Sequence, residues 1–283
     1  MSRRHINIKK ELPAGWGEFE FELDLTSGNT INKNTYYIIP SFKTNATYTG
    51  GIIVDWGDGV IESFFNGGYK SHIYTTADIY TVKVQEYLNG NGDNQNRLYS
   101  FSFYNSSSSY VSKLIKWKSD QIGNMDGTFR NLINLIDLGD LIIECENVTV
   151  IQNLFSGCSS LVSVPKNIFS KLTLITSIYG VFQNCTALTN IESNIFSSMK
   201  LINCGYVFNN CTSLSSNINN IFGNDTDLST LNVSQYAFYG CTNLTGSGNS
   251  FINKCTKPPA TKSRTFTNCT NLIDYTTIPS GWK

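Results

Sequence analysis

Hydrophobic and polar positions alternate strictly over Phe19-Glu20-Phe21-Glu22-Leu23-Asp24-Leu25. A period of two puts every second side chain on one face of an extended chain, so this stretch is predicted as a half-buried strand. Shorter runs rich in β-branched and aromatic residues follow at 35–39, 51–56, 71–74, 80–84 and 98–103. Turn-forming clusters separate them, among them Asn66-Gly67-Gly68 and the stretch 89–93. Several short strands at such spacing predict a β-sandwich over residues 19–112.

Beyond residue 112 the pattern changes from alternation to repetition. Phe155, Cys158 and Leu161 form an F-x-x-C-x-x-L phrase. It returns as Phe182, Cys185 and Leu188, as Phe208, Cys211 and Leu214, as Phe238, Cys241 and Leu244, and as Phe266, Cys269 and Leu272. An imperfect first copy has Phe129, Leu132 and Leu135, with Leu in the Cys position. The Phe positions step by 26, 27, 26, 30 and 28 residues. A second marker lies between them, at Ile168-Phe169, Ile195-Phe196, Ile221-Phe222 and, degenerate, Phe251. Ile178, Val181, Phe182 and Cys185 have the spacing that shares one face of a helical turn. Leu161-Val-Ser-Val164-Pro165 then predicts a very short strand, ended where Pro removes a donor. One such repeat cannot bury these side chains alone, so neighbours are predicted to stack into a solenoid over residues 113–283, with about six repeats. The fold class is therefore mainly β: an N-terminal arm at 1–18, a sandwich at 19–112 and a solenoid at 113–283.

The phrase Thr176-Ser-Ile178-Tyr-Gly-Val-Phe182-Gln-Asn-Cys185-Thr-Ala-Leu188-Thr-Asn-Ile191 resembles the BspA-like leucine-rich repeats of bacterial surface proteins. These repeats are longer than the common unit of that family, with the Ile-Phe turn added. Trp56-Gly57-Asp58-Gly59, followed by His72-Ile-Tyr74 and Tyr80-Thr-Val82-Lys-Val84, resembles a PKD-type β-sandwich. Asp78 stands where that family has a glycine, and Asp is among the residues that tolerate a left-handed backbone. The resemblance implies such a sandwich ahead of BspA-like repeats, displayed on a cell envelope or a virion, and binding a host protein or glycan.

Charge narrows the classes. Lys+Arg and Asp+Glu both number 21, and charged residues are 15% of the chain. A nucleic-acid partner is not expected without a basic stripe. The one basic cluster is Arg3, Arg4, Lys9 and Lys10, which reads as a loose tail or as a docking arm toward other virion proteins. No apolar run is long enough to span a membrane, and no apolar segment follows Met1–His5 to make a secretory leader. That absence tilts the expectation toward a virion component, such as a phage fibre or decoration protein, over a bacterial adhesin. Fibres and decorations are usually symmetric, so a homo-oligomer fits that reading.

Eight cysteines occur without C-x-x-C pairs, so zinc is not expected. Five share one repeat position, which predicts a column of small buried thiols rather than disulfides. Cys204 and Cys211 are close enough in sequence to pair. Asp55 and Asp58 have the chemistry for calcium, though a tight turn with Asp58 holding its own backbone explains the same residues and is the favoured reading. His5 and His72 are the only histidines, and His72 is predicted as a strand residue beside Trp56. No nucleophile–base set, nucleotide loop or metalloprotease motif is present, and no cofactor is expected. A two-carboxylate glycosidase stays open, because its acids need no fixed spacing. Three readings result: a recognition module, a structural spacer and a carbohydrate-active enzyme, the first favoured. Tyr, Asn, Ser and Thr on one face would suit polar, wet recognition. Ile278-Pro-Ser-Gly-Trp282 is predicted to close the last repeat, and it echoes Leu12-Pro-Ala-Gly-Trp16.

Overall fold

The computed structural model describes residues 18–26, 35–42, 50–64, 70–88, 98–103, 110–119, 122–223 and 226–283. The arm with Arg3, Arg4, Lys9 and Lys10, His5, the 12–16 segment and the turns at 66–68 and 89–93 lie outside the described residues. The described chain is mainly β, with few helices and no closed barrel.

The alternating segment forms β1 (Glu18–Asp24), with Phe19, Phe21 and Leu23 buried and the acidic residues between them half-buried. It is followed by β2 (Thr35–Phe42), β3 (Gly50–Asp55), β4 (Ile61–Phe64), β5 (Lys70–Ile73), β6 (Ile79–Leu88), β7 (Leu98–Phe103) and β8 (Val111–Lys118). The repeats add β9 (Ile143–Glu144), β10 (Ser163–Val164) and β11 (Asn190–Ile191). One sheet has the order β4-β3-β6-β1-β8-β9 and a second has β5-β2-β7. β1 pairs antiparallel with both β6 and β8, placing Phe21 opposite Val82 on one side and Leu114 on the other. The sheets meet through aromatic rings: Phe101 of β7 lies 5.4 Å from Phe19 and 5.5 Å from Trp117.

β8 crosses residue 112 and belongs to both halves of the chain. Its Trp117 and Lys118 pair in parallel with Ile143 and Glu144 of the first repeat. Trp117 is also where the two cores join, 4.7 Å from Phe19 and 4.5 Å from Phe129. A single column of rings then runs on through Phe155, Phe182, Phe208, Phe238 and Phe266, with neighbouring centroids 5.1 to 5.7 Å apart. Trp282 ends the column 6.3 Å beyond Phe266. Six Phe rings are thus bracketed by two Trp rings. A second file, Phe169, Phe196, Phe222 and Phe251, lies beside the first.

Backbone bonds tie each repeat to the next. Phe155 N donates to Val181 O (2.8 Å), Phe182 N to Val207 O (2.9 Å), Phe208 N to Ala237 O (2.8 Å) and Phe238 N to Thr265 O (2.9 Å). From Phe129 to Phe238, the residues two before and two after each Phe make the same step, as in Asn153 N to Tyr179 O and Gly157 N to Gln183 O. Further along each repeat the contacts are parallel bridges, such as Ser177 with Asn203, Asn203 with Val233 and Val233 with Thr261. β10 and β11 pair in parallel at the positions where a strand ending before Pro165 is predicted.

The segment around each Phe differs from the predicted helical turn. Val181 N bonds Ile178 O and Cys185 N bonds Phe182 O, so three-residue turns do form. Gly180 (φ 63°) and Asn184 (φ 59°) are left-handed, however, and each resets the chain before a helix can propagate. The result is a broken run of turns that frees alternate N–H groups for the next repeat. Asp78 is also not left-handed: its carboxylate accepts from Ile79 N at 2.8 Å, and its carbonyl accepts from Leu25 N.

Two short helices, α1 (Ile218–Ile221) and α2 (Gly248–Lys254), replace the turns in the longest repeats. The C-terminal residues supply the partners that a further repeat would offer. Phe266 N donates to Trp282 O at 2.8 Å, and Asn268 N reaches the Tyr275 hydroxyl at 3.3 Å. Asp274 anchors this closing segment by accepting from the Ser247 hydroxyl and from Gly248 N and Asn249 N at the start of α2. Burial pushes its carboxyl up, but those bonds outweigh burial and hold it below its ordinary 3.8. A depressed folded pKa means stability that is present above pH 4 and lost as pH falls through the folded value. Asp274→Ala should therefore cost about 1 kcal/mol at neutral pH. Thermal melts at pH 7 and pH 3 should show a smaller gap in the variant than in the wild type, and an equal gap would refute this role.

Candidate recognition face and the repeat core

The Trp56-Gly57-Asp58-Gly59 turn links β3 to β4 as a closed polar knot. Gly57 N is held by Asp55 Oδ1 (3.0 Å), and Val60 N by Asp58 Oδ1 (3.1 Å). The other Asp58 oxygen is 2.8 Å from His72 Nε2. His72 stacks on the Trp56 ring at 4.9 Å, as the sequence predicts. Trp56 donates its indole N–H to Glu62 Oε2 (2.9 Å), and its carbonyl accepts from the Tyr74 hydroxyl (2.9 Å). Gly57 is required: its φ is 83°, and an added Cβ would sit 2.6 Å from the Thr81 carbonyl oxygen. Gly59 has φ 90° with open space around it. Each carboxylate of this turn already serves backbone N–H groups. Among the described residues no group of three or more acidic, His or Cys side chains is placed to hold a metal ion.

Every predicted repeat residue is buried: Phe155, Cys158, Leu161, Phe182, Cys185, Leu188, Phe208, Cys211, Leu214, Phe238, Cys241, Leu244, Phe266, Cys269 and Leu272. All eight thiols are free and buried, Cys204 and Cys211 included. The reason for cysteine is local. Each repeat thiol donates to the carbonyl of the Phe one repeat earlier: Cys158 to Phe129, Cys185 to Phe155, Cys211 to Phe182, Cys241 to Phe208 and Cys269 to Phe238, at 2.9 to 3.1 Å. Those carbonyls also accept the backbone N–H three residues on wherever a repeat Cys follows, for example Cys158 N to Phe155 O. The thiol is thus a small apolar group that still supplies a weak donor to a second lone pair. Leu132 takes this position in the first repeat, where Trp117 and not a repeat Phe packs ahead of Phe129.

One surface position varies between repeats in a way that its backbone makes informative. The position two before each Phe is left-handed in all six repeats, and so is the position two after it. The later position is always Asn or Gly: Asn131, Gly157, Asn184, Asn210, Gly240 and Asn268. The earlier position is Gly127, Asn153 and Gly180 in three repeats, then Tyr206, Tyr236 and Arg264. Gly and Asn meet a left-handed backbone easily, whereas a bulky side chain there costs roughly 1–2 kcal/mol. Tyr206 (φ 58°), Tyr236 (φ 56°) and Arg264 (φ 57°) all bear that cost.

These three side chains form one ladder with Tyr179. Tyr179 and Tyr206 are 5.2 Å apart, and Tyr206 and Tyr236 are 4.8 Å apart and nearly parallel. Arg264 lies over Tyr236 at 5.6 Å, and Tyr239 flanks it at 5.5 Å. Gly205 leaves the room for Tyr179, whose ring would be 3.3 Å from an added Cβ. The tyrosines are half-buried and Arg264 is exposed. This ladder was not among the predicted motifs. Its signal in the sequence is a small-to-large change at one repeat position, which becomes meaningful only once that position is known to be left-handed.

Residues 98–221 and 149–274 each match the family described as "Mycoplasma protein of unknown function, DUF285". Together the matches span more than half of the chain. The chain belongs to this family. The two DUF285 matches are offset by roughly two repeats, so the family unit is itself made of the repeat described above. The first covers the column from Phe129 to Phe208, the second covers it from Phe155 to Phe266, and the second also covers the whole ladder. No curated protein and no solved structure matches the chain.

Proposed function

We propose that this chain is a non-enzymatic recognition protein displayed on a cell surface: a PKD-like β-sandwich carrying a BspA-like leucine-rich solenoid. The solenoid reading is supported by the ring column, the parallel bridges and the N–H bonds that step from repeat to repeat. The PKD-like reading is supported by the Trp56–Asp58 turn locked to His72 and Tyr74. Residues 19–112 and 113–283 are the two units, with β8 shared where they meet. The family description names mycoplasmas, which favours a cell envelope over a virion as the place of display. The expected partner is a protein or glycan on a host surface.

One observation carries the recognition reading. The residues common to the repeats are spent on packing, while strained backbone positions are given to Tyr206, Tyr236 and Arg264 on the surface. Strain retained where it brings no gain in stability points to function. Asn already fills the same position at Asn153, so it is the natural replacement. Tyr206→Asn and Tyr236→Asn should leave the melting temperature unchanged or raised, since relief of strain offsets a lost ring contact of about 0.5–1.5 kcal/mol. Binding of the labelled full chain to cultured host cells should fall sharply in both. Equal binding by wild type and variants would take the ladder out of the recognition reading, and no binding by any of them would favour a spacer without a ligand.

A further inference from the structure

We propose that the Tyr179–Tyr206–Tyr236–Arg264 ladder binds an extended acidic glycan, one sugar unit to each ring and the acidic group at Arg264. The inference rests on the recognition reading and names its ligand class. The chemistry on offer is polar. The ring faces of Tyr206 and Tyr236 are turned to each other, so the ladder presents ring edges and phenolic hydroxyls rather than open faces. None of the hydroxyls of Tyr179, Tyr206 and Tyr236 has a hydrogen-bond partner among the described residues, and none is among the buried unsatisfied atoms. They are donors and acceptors in reach of solvent, one on each ring of the ladder. Gln183 extends the polar strip and bonds Asn209 of the next repeat at 3.3 Å.

The interval separates a glycan from a peptide. The rings recur at 5.2 and 4.8 Å. An extended peptide offers a residue every ~3.3 Å and a same-face side chain every ~6.7 Å, so it drifts out of register with the ladder within two rungs. A sugar unit carries several hydroxyls around one rigid ring, so it does not depend on a two-residue side-chain repeat to offer a partner to each phenol in turn. Arg264 supplies the charge preference. Its guanidinium is exposed, rests on Tyr236 and has no carboxylate partner among the described residues. A planar fork held by an aromatic face is suited to a carboxylate or sulfate.

The test uses the full chain and isothermal titration with hexasaccharides of hyaluronan, heparan sulfate and chitin. At least one of the two acidic hexasaccharides should bind saturably, with chitin hexasaccharide weaker by about ten-fold or more. Tyr206→Asn, Tyr236→Asn and Arg264→Asn should each weaken that binding by about ten-fold, and added salt should weaken it in the wild type but much less in Arg264→Asn. Failure of both acidic hexasaccharides to bind, or binding indifferent to the tyrosine variants, overturns the inference. Host-cell binding separates this failure from failure of the recognition reading. If binding is abolished by protease but unaffected by glycosidase, and still needs Tyr206 and Tyr236, the partner is a protein and only the glycan inference falls. If host cells do not bind the chain at all, the recognition reading falls with it.

Discussion

Phe182→Ala should destabilise the protein by about 3–5 kcal/mol in urea or thermal unfolding, the usual cost of emptying a fully buried phenylalanine site. Phe182 sits mid-column, parallel to Phe155 at 5.6 Å and to Phe208 at 5.4 Å, and it also touches Phe169 of the second file at 6.2 Å. Its loss removes ring contacts in both directions along the column. Neighbouring turns cannot collapse into the gap, because the Phe182 N–H is fixed to Val207 O and its carbonyl is held by both Cys185 N and Cys211 Sγ. The consequence reaches beyond one site. Each repeat is stabilised by the neighbour it contacts, so a void between the second and fourth rings weakens the coupling of the repeats before it to those after it. A broader urea transition with a smaller m value should accompany the loss. A change below roughly 1 kcal/mol would mean that the column does not carry the repeat core.

Much of this architecture is legible in the sequence, and the parts that are not have identifiable reasons. β1 is readable because Phe19, Phe21 and Leu23 alternate with Glu and Asp, and its pairing with β6 keeps that register throughout. β8 escapes the same reading. Its buried residues are Val111, Leu114 and Trp117, a period of three that looks helical. The cause is its pairing with β1, where register shifts between Glu20 and Phe21 and between Glu22 and Leu23 leave an extra β8 residue each time. Bulges of this kind are set by the partner strand and leave no mark on the strand's own sequence. β4 is missed because Ile61–Phe64 has only exposed and half-buried positions, so no alternation shows. In the repeats, the Phe and Cys positions announce the core, but the same spacing fits a helical turn. Only the backbone reveals left-handed residues four apart, such as Gly180 and Asn184, on either side of each Phe. The ladder was hidden for that reason. Tyr206 and Tyr236 are ordinary surface residues until the backbone beneath them is seen to disfavour them.

The thiol column has a consequence of similar size, set by pH. Burial pushes the Cys158 thiol up to about 12 from an ordinary 9.0, and the Cys269 thiol likewise to about 12. Cys185, Cys211 and Cys241 are driven well above the ordinary value by burial and by the neighbouring thiols of the column. A thiol that holds its proton more tightly when folded contributes stability that is complete below pH 9. That contribution is lost as pH rises from 9 toward the folded value, because the unfolded chain ionises first. At pH 10 each column thiol should forfeit roughly 1 kcal/mol, and five together on the order of 5 kcal/mol, which is comparable with the whole stability of many domains. Burial raises the Tyr74 phenol in the same direction, which adds to the loss at still higher pH. The folded protein should therefore keep its melting temperature from pH 6 to 8 and lose it steeply above 9. Its native thiols should show no thiolate absorbance and no reaction with an alkylating reagent until the chain opens. Replacing Cys185 and Cys211 with Ala should lower stability at pH 7, since each removes a donor from a buried Phe carbonyl, yet make the alkaline slope shallower. A native chain whose repeat thiols ionise near pH 9 while the fold persists would show that the column is open to water and that this account of the repeat core is wrong.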